Sequence, residues 1–174
     1  EMQFDLYSAR ADLQSGVGSA TEFSRKSLEA AASPACRQAF INVDASALQA
    51  AAQQADTDRA RGTPTAPLSG LSVSVKDLFD VAGQVSRAGS RLLADAAPAL
   101  RDSVSVARLR QAGAGLIGRT NMTEFAFSGL GINPHLGTPE NAAMARLGLP
   151  GRIPGGSSSG AAVSVAAGAA WAAL

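Results

Sequence analysis

Cysteine and histidine are nearly missing from this 174-residue sequence, which holds one of each, Cys36 and His135. A lone cysteine excludes an internal disulfide, and so small a supply excludes the usual zinc sets built from several His and Cys ligands. Aromatic residues make up only 5%, too few for a nucleic-acid stacking platform. Charged residues are 17%, below the usual quarter. Fifteen basic groups against fourteen acidic ones leave a net charge of +1, so no strongly charged partner is implied. Lysine is scarce among the cations: Lys26 and Lys76 stand against thirteen arginines. Arginine is a poor proton acceptor, whereas a desolvated lysine can become a base, so either lysine is worth locating. Glu1-Met2-Gln3 opens no apolar leader, and no secretion signal is expected. The longest small-apolar stretch, Ala161 to Leu174, is broken by Ser164 and Gly168 and is too short to span a bilayer. A cytoplasmic protein with neither membrane nor nucleic-acid partner is the expectation.

What is abundant is small and apolar. The apolar set reaches 46%, and 18 glycines and 37 alanines argue for elements packed closely rather than around large side chains. The length suits one domain with a sizeable core. Phe4 to Val17 reads as a helix with Leu6, Leu13 and Val17 inward. Ser19-Ala-Thr-Glu22 is a capping-box pattern opening a second helix to about Ala32, ended by Ser33-Pro34. Ala39 to Val43 is a short strand. Leu48, Ala51, Ala52 and Ala55 share one face of a helix from about Asp44 to Arg61. After the polar connector 62–67, Leu71 to Lys76 alternates with period two, which predicts a half-buried strand. Asp102 is the predicted cap of a helix carrying Val106, Leu109 and Ala112 inward and stopped at Gly113. Leu116 to Gly118 is a strand, and Thr120-Asn121 is the predicted cap of a helix from Met122 to about Phe127. Gly129 to Pro154 is a long Gly/Pro-rich loop, the kind that is usually functional or mobile. A small-residue helix follows from Ala161. Interleaved helices and strands make the class α/β.

Gly113-Ala-Gly115-Leu-Ile-Gly118 fits a dinucleotide pattern but follows a helix and precedes a strand, the reverse of the required order. A helix C-cap explains it more simply. Gly155-Gly156-Ser157-Ser158-Ser159-Gly160 reads as a flexible linker, a helix N-cap, or a turn whose N–H groups stabilise an anion or oxyanion. Serines beside such a turn suggest acyl transfer. Lys76 sits at a strand end on the face of Ser72 and Ser74. It is either a solvent-exposed lysine or a base in a dry site, held by neighbouring hydroxyls, and Ser–Lys catalysis dispenses with histidine. His135, between Pro134 and Leu136-Gly137, is a structural loop residue before it is a base for a serine. Cys36 reads as a small core residue.

Val73-Ser-Val-Lys-Asp-Leu-Phe-Asp80 and the Gly155–Gly160 turn together resemble the amidase signature family. So do the stretches between them: Ala88-Gly-Ser, Ala107-Arg-Leu-Arg-Gln-Ala-Gly-Ala, Gly118-Arg-Thr-Asn-Met-Thr-Glu-Phe-Ala and Asn133-Pro-His, all in the family's order. The likeness covers Leu71 to Leu174, with a looser one before it. The resemblance implies the N-terminal portion of the amidase signature fold, a mixed β-sheet flanked by helices and incomplete in this chain. Residues 1–67 would form its helical N-terminal region and 68–174 the start of its catalytic core. It also implies an amidase working through a Ser–cis-Ser–Lys triad with neither metal nor organic cofactor, on a small-molecule amide; homo-oligomerisation stays open. By resemblance Lys76 is the base and Ser157 the bridging serine after a cis Gly156–Ser157 bond. Ser158 and Ser159 cap the helix and support the network with Gly155 and Gly156, and Asn121 and Met122 come near the substrate. The family nucleophile is expected roughly two dozen residues past Ser157, beyond Leu174, so the chain by itself is expected to be inactive. Glu140 to Arg152 departs from the family's usual turn. Two further possibilities are the amidase subunit of a tRNA-dependent amidotransferase and a non-catalytic relative acting as a binding module.

Overall fold

The structure, a computed structural model, describes residues 5–149 and 151–174. Helices α1 (Leu6–Ser15), α2 (Ala20–Ala32) and α3 (Ala45–Ala60) lead into a region where strands and helices alternate. Strand β1 (Phe40–Val43) precedes α3, and β2 (Ser72–Lys76), α4 (Val104–Gln111) and β3 (Gly115–Thr120) follow it. A short α5 (Ala142–Arg146), α6 (Ser159–Ala166) and β4 (Ala172–Ala173) complete the order. The four strands form one mixed sheet in the order β1-β3-β2-β4. β2 runs parallel to both β3 and β4, and β1 runs antiparallel to β3. The α/β expectation holds.

Local signals explain most element ends. Ser19 accepts a hydrogen bond from the Glu22 N–H at 3.1 Å, as the capping box requires, and Asp44 does the same for Ala47 at 3.0 Å. Gly113, at φ +85°, ends the turn after α4 and leads into β3, so its glycines are a C-cap and not a nucleotide loop. Small residues let the layers approach: Ala52 and Ala55 of α3 are buried beside Ala9 and Leu13 of α1 and Phe23 of α2, while Leu48 packs with Ile117 and Ala170. The Phe23 and Trp171 rings stack obliquely, with centroids 5.3 Å apart.

Several expectations fail for identifiable reasons. Val17 lies past the Gly16 cap and is 79% exposed, so only the Leu6 and Leu13 end of α1 faces inward; Phe4 lies outside the described residues. Every residue of β2 is buried, so the strand is not half-buried. Its polar alternation reflects serines paired under helices rather than a wet face. Asp102 does not cap α4. Ser103 holds that position, while the Asp102 carboxylate accepts from the Ala82 N–H at 2.8 Å and from Arg110 Nε at 2.9 Å. No helix runs from Met122 to Phe127; a 3-10 turn over Glu124–Ala126 stands there, with Phe125 at φ +50°. The loop 129–154 contains α5, and Pro150 within it lies outside the described residues. The last helix begins two residues earlier than expected and stops at Ala166, because Ala172–Ala173 join the sheet beside β2.

Candidate active site

β2 and α6 build the site. Lys76 closes β2, whose valines and serines alternate: Val75 packs with Val81 and Val106 on one face. Ser72 and Ser74 point to the other, toward α2 and α6. Lys76 continues that second face and meets the turn that opens α6. Its Nζ donates to Ser157 Oγ at 2.8 Å and to Ser158 Oγ at 2.9 Å. The side chain is only 7% exposed. Burial penalises the charged form and pulls the ammonium below its ordinary value of 10.5. Such a lysine is easier to deprotonate than one in water, and its partners are hydroxyls rather than carboxylates.

The turn itself is held by close backbone approach. The Gly156–Ser157 peptide bond is cis, and the Ser157 carbonyl accepts from the Thr123 N–H at 3.0 Å. Gly131, at φ +79°, lies against Gly155: a Cβ there would stand 2.1 Å from the Gly155 carbonyl oxygen. Gly160 seats the first turn of α6 directly on two other segments, since a Cβ would meet Ala39 O at 2.1 Å and Asn121 N at 2.6 Å. Its N–H donates to Asn121 O at 2.9 Å, and the Gly156 N–H donates to Gly129 O at 2.8 Å. Two N–H groups of the turn are therefore engaged and do not wait for an anion.

The structure brings Lys76, Ser157 and Ser158 together and separates the others. Ser158 occupies the N-cap position of α6, but its hydroxyl turns to Lys76 and makes no cap hydrogen bond. Ser159 is fully buried, and its hydroxyl has no hydrogen-bond partner among the described residues. Ser72 and Ser74 do not hold Lys76 either; they bond Ser27 and Ser164. Asn121 and Met122 lie beside the turn and are 1% and 0% exposed. Asn121 donates to Gln38 O at 3.0 Å and Gly137 O at 2.8 Å. His135 reaches the Glu124 carboxylate at 3.2 Å, not a serine. Ser90 donates to the other oxygen of Glu124 at 2.6 Å, and these two contacts hold the Glu124 acid below its ordinary range, Ser90 more than His135.

Two polar hubs had no sequence signal beyond neighbouring positions. Asp77, next to Lys76, is fully buried, accepts from Arg119 Nε at 2.9 Å and from the Gly89 N–H at 3.0 Å, and so ties the 87–89 loop to the end of β2. Asn133 donates to Gly89 O and to Met122 O, each at 2.8 Å, fastening that loop to the segment behind Ser157. Among the described residues no cluster of three or more His, Cys, Asp or Glu is placed to hold a metal, and no helix is long and apolar enough to cross a membrane.

A desolvated lysine hydrogen-bonded to a serine at a helix start is an arrangement that Ser–Lys chemistry can use. The amidase family profile matches residues 22–174, and the chain belongs to the amidase signature family. It is 43% identical over 155 residues to a glutamyl-tRNA(Gln) amidotransferase subunit of Cupriavidus taiwanensis, covering 89% of this chain and 30% of that protein. It is also 43% identical over 120 residues to the AtzE subunit of the 1-carboxybiuret hydrolase of a Pseudomonas species, covering 69% and 25%. Among solved structures, an inhibitor-bound vestigial protein complex that reveals the evolutionary origins of an s-triazine catabolic enzyme superposes with a TM-score of 0.87 at 36% identity, over 95% of this chain and 35% of that one. The native peptide amidase of Stenotrophomonas maltophilia gives 0.79 at 32%, over 97% and 35%. The chain thus spans about a third of the length of the relatives it matches.

Proposed function

We propose that this chain is the N-terminal part of an amidase that hydrolyses a carboxylic amide C–N bond, with residues 1–67 as its helical N-terminal region and 68–174 as the start of its catalytic core. The observation that carries this is the buried Lys76 Nζ at 2.8 Å from Ser157 Oγ. Neutral Lys76 accepts the Ser157 proton, and Ser157 in turn accepts the proton of a serine nucleophile contributed from beyond residue 174. That serine attacks the amide carbonyl. The proton returns through Ser157 to the leaving nitrogen as the C–N bond breaks, releasing amine or ammonia and leaving an acyl-enzyme. Water, activated by the same pair, then releases the acid. Burial of Lys76 supports its role, because a base must be neutral to act. Ser158, the second acceptor of Lys76, orients the ammonium once it forms.

A simple aryl amide tests the assignment. The purified 174-residue chain is expected to give no turnover. The full-length protein that contains the expected nucleophile serine hydrolyses the amide, and Lys76→Ala or Ser157→Ala abolishes this. Hydrolysis by the 174-residue chain that Ser158→Ala removes and Ser157→Ala leaves intact overturns both roles.

A second reading has a specific observation behind it. The 43% identity to a glutamyl-tRNA(Gln) amidotransferase subunit favours an amidotransferase role, in which the same Ser–Lys chemistry frees ammonia for a partner. The expectation of no nucleic-acid partner draws no support from such relatives. Incubating the full-length protein with glutamine, glutamyl-tRNA(Gln) and candidate partner subunits separates the two: amide transfer to the tRNA favours the amidotransferase, release of ammonia to water the hydrolase.

A further inference from the structure

Two pairs of buried serines lie on the face of β2 that ends in Lys76, alike in chemistry and different in what they join. Ser72 Oγ lies 2.8 Å from Ser27 Oγ of α2, and Ser74 Oγ lies 2.9 Å from Ser164 Oγ of α6. Each hydroxyl has one proton, which fixes the direction of both pairs. Ser164 donates its proton to Ala161 O at 2.8 Å, so it must accept from Ser74. Ser72 donates to Ala169 O at 3.3 Å, so it accepts from Ser27. Ser74 and Ser164 are both fully buried, and no other side-chain hydrogen bond among the described residues joins the body of α6 to β2. Two residues along β2 from Ser74 is Lys76, and the turn opening α6 carries Ser157 and Ser158.

We propose that the Ser74–Ser164 pair is a positioning device for the site: it clamps α6 to β2 and thereby sets the distance from Lys76 to Ser157 and the dryness around the lysine. Small alanines elsewhere on α6 supply contact without direction, whereas a hydrogen bond fixes the register of helix on strand. Neither serine touches the reacting groups; both act through the elements that carry them. This rests on Lys76 and Ser157 being the base and the bridging serine.

The two lysines of the sequence make the test direct. Selective ¹³C-lysine labelling of the full chain gives two side-chain NMR signals, one from Lys76 and one from Lys26 on α2. Ser164→Ala is expected to move the Lys76 midpoint up, toward the ordinary lysine value, as water enters between β2 and α6. Ser27→Ala removes the matching bond to α2. It is expected to lower the melting temperature and leave Lys76 where it was. Ser74→Ala, which orphans no hydroxyl proton, gives the same Lys76 shift with a smaller loss of stability, and serves if Ser164→Ala does not fold. The double Ser74→Ala/Ser164→Ala variant recovers stability but keeps the shift, because both polar partners are gone. A Lys76 midpoint unchanged in all the Ser74 and Ser164 variants, or one that tracks melting temperature equally in Ser27→Ala, overturns the proposal. The wild-type midpoint of Lys76 is separate: a value not below the ordinary 10.5 would sink the reading of Lys76 as the base instead.

Discussion

Arg119→Met is the substitution whose cost the structure specifies most closely. Arg119 and Asp77 form a buried ion pair at 2.9 Å, with side chains 4% and 1% exposed. Removing the guanidinium leaves the Asp77 carboxylate in place with the Gly89 N–H at 3.0 Å and the weaker Arg87 N–H at 3.4 Å. Two amide donors do not balance a full buried charge. Breaking such a pair from one side costs about 3–5 kcal/mol, which for a chain of this size lowers the melting temperature by roughly 10 °C. The pair as a whole is worth much less, since both ions were taken out of water to form it. Asp77→Asn/Arg119→Met keeps an oxygen for the Gly89 N–H and removes both charges, and is expected to return to within about 1–2 kcal/mol of wild type. Urea and thermal unfolding of the wild type, both single variants and the double variant, analysed as a cycle, measure this. A loss under about 1 kcal/mol for Arg119→Met, or a double variant no more stable than Arg119→Met alone, would refute the electrostatic account and leave Arg119 as packing. The same singles loosen the 87–89 loop, so the Lys76 signal is expected to broaden in Arg119→Met and sharpen again in the double variant.

The remaining predictions concern protons, space and reactivity. Lys76 has its folded value below 10.5, so between the two values the unfolded chain binds more protons than the folded one and stability rises with pH. Lys76→Met is expected to remove that rise, read as the difference between wild-type and variant urea midpoints from pH 7 to 10. The difference is needed because Cys36, pushed up from 9.0 to about 11 by burial, contributes the opposite slope; equal slopes in the two proteins would contradict a buried ammonium. Gly160→Ala puts a methyl 2.1 Å from Ala39 O, where both neighbours are backbone, and is expected to cost about 1–3 kcal/mol or more. In the full-length enzyme it should also lower amidase turnover, whereas an unaltered melting temperature would mean that α6 is free to slide. The Cys36 thiol is expected to react with a disulfide reagent orders of magnitude more slowly in the folded chain than in urea, and equal rates would place it at the surface.

Patterns with short range were legible in the sequence and long-range placements were not. The Ser19 cap, the start of α3 near Asp44, the α3 face and the period of β2 follow from residues within one turn or a few strand positions. The pairing of Lys76 with Ser157 was legible only through resemblance, since 81 residues separate them. The misassigned Asp102 shows why: an acid before a helix is a good cap candidate, but Ala82 and Arg110 offered donors that no local rule reveals. The serines of β2 misled in the same way. Alternation with polar residues usually marks a wet face, and here Ser27 and Ser164, distant in sequence, satisfied those hydroxyls inside the core. Asn121 and Met122 lie beside the turn, but which way a side chain faces depends on loops 38 and 137, which supply the Asn121 acceptors.

Strand β2 has one neighbour in residues 115–120 and the other in residues 172–173, and the Lys76 N–H itself donates to Leu174 O. A chain emerging from the ribosome therefore carries Lys76 for about a hundred residues before its last hydrogen-bond partners exist. Until then the surroundings that bury Lys76 are incomplete. Its altered basicity is a product of completed long-range topology, and contacts of such sequence separation form slowly. In this protein the chemistry of one ammonium group is thus also a clock, and it reads out the moment at which the two distant halves of the sheet have closed around it.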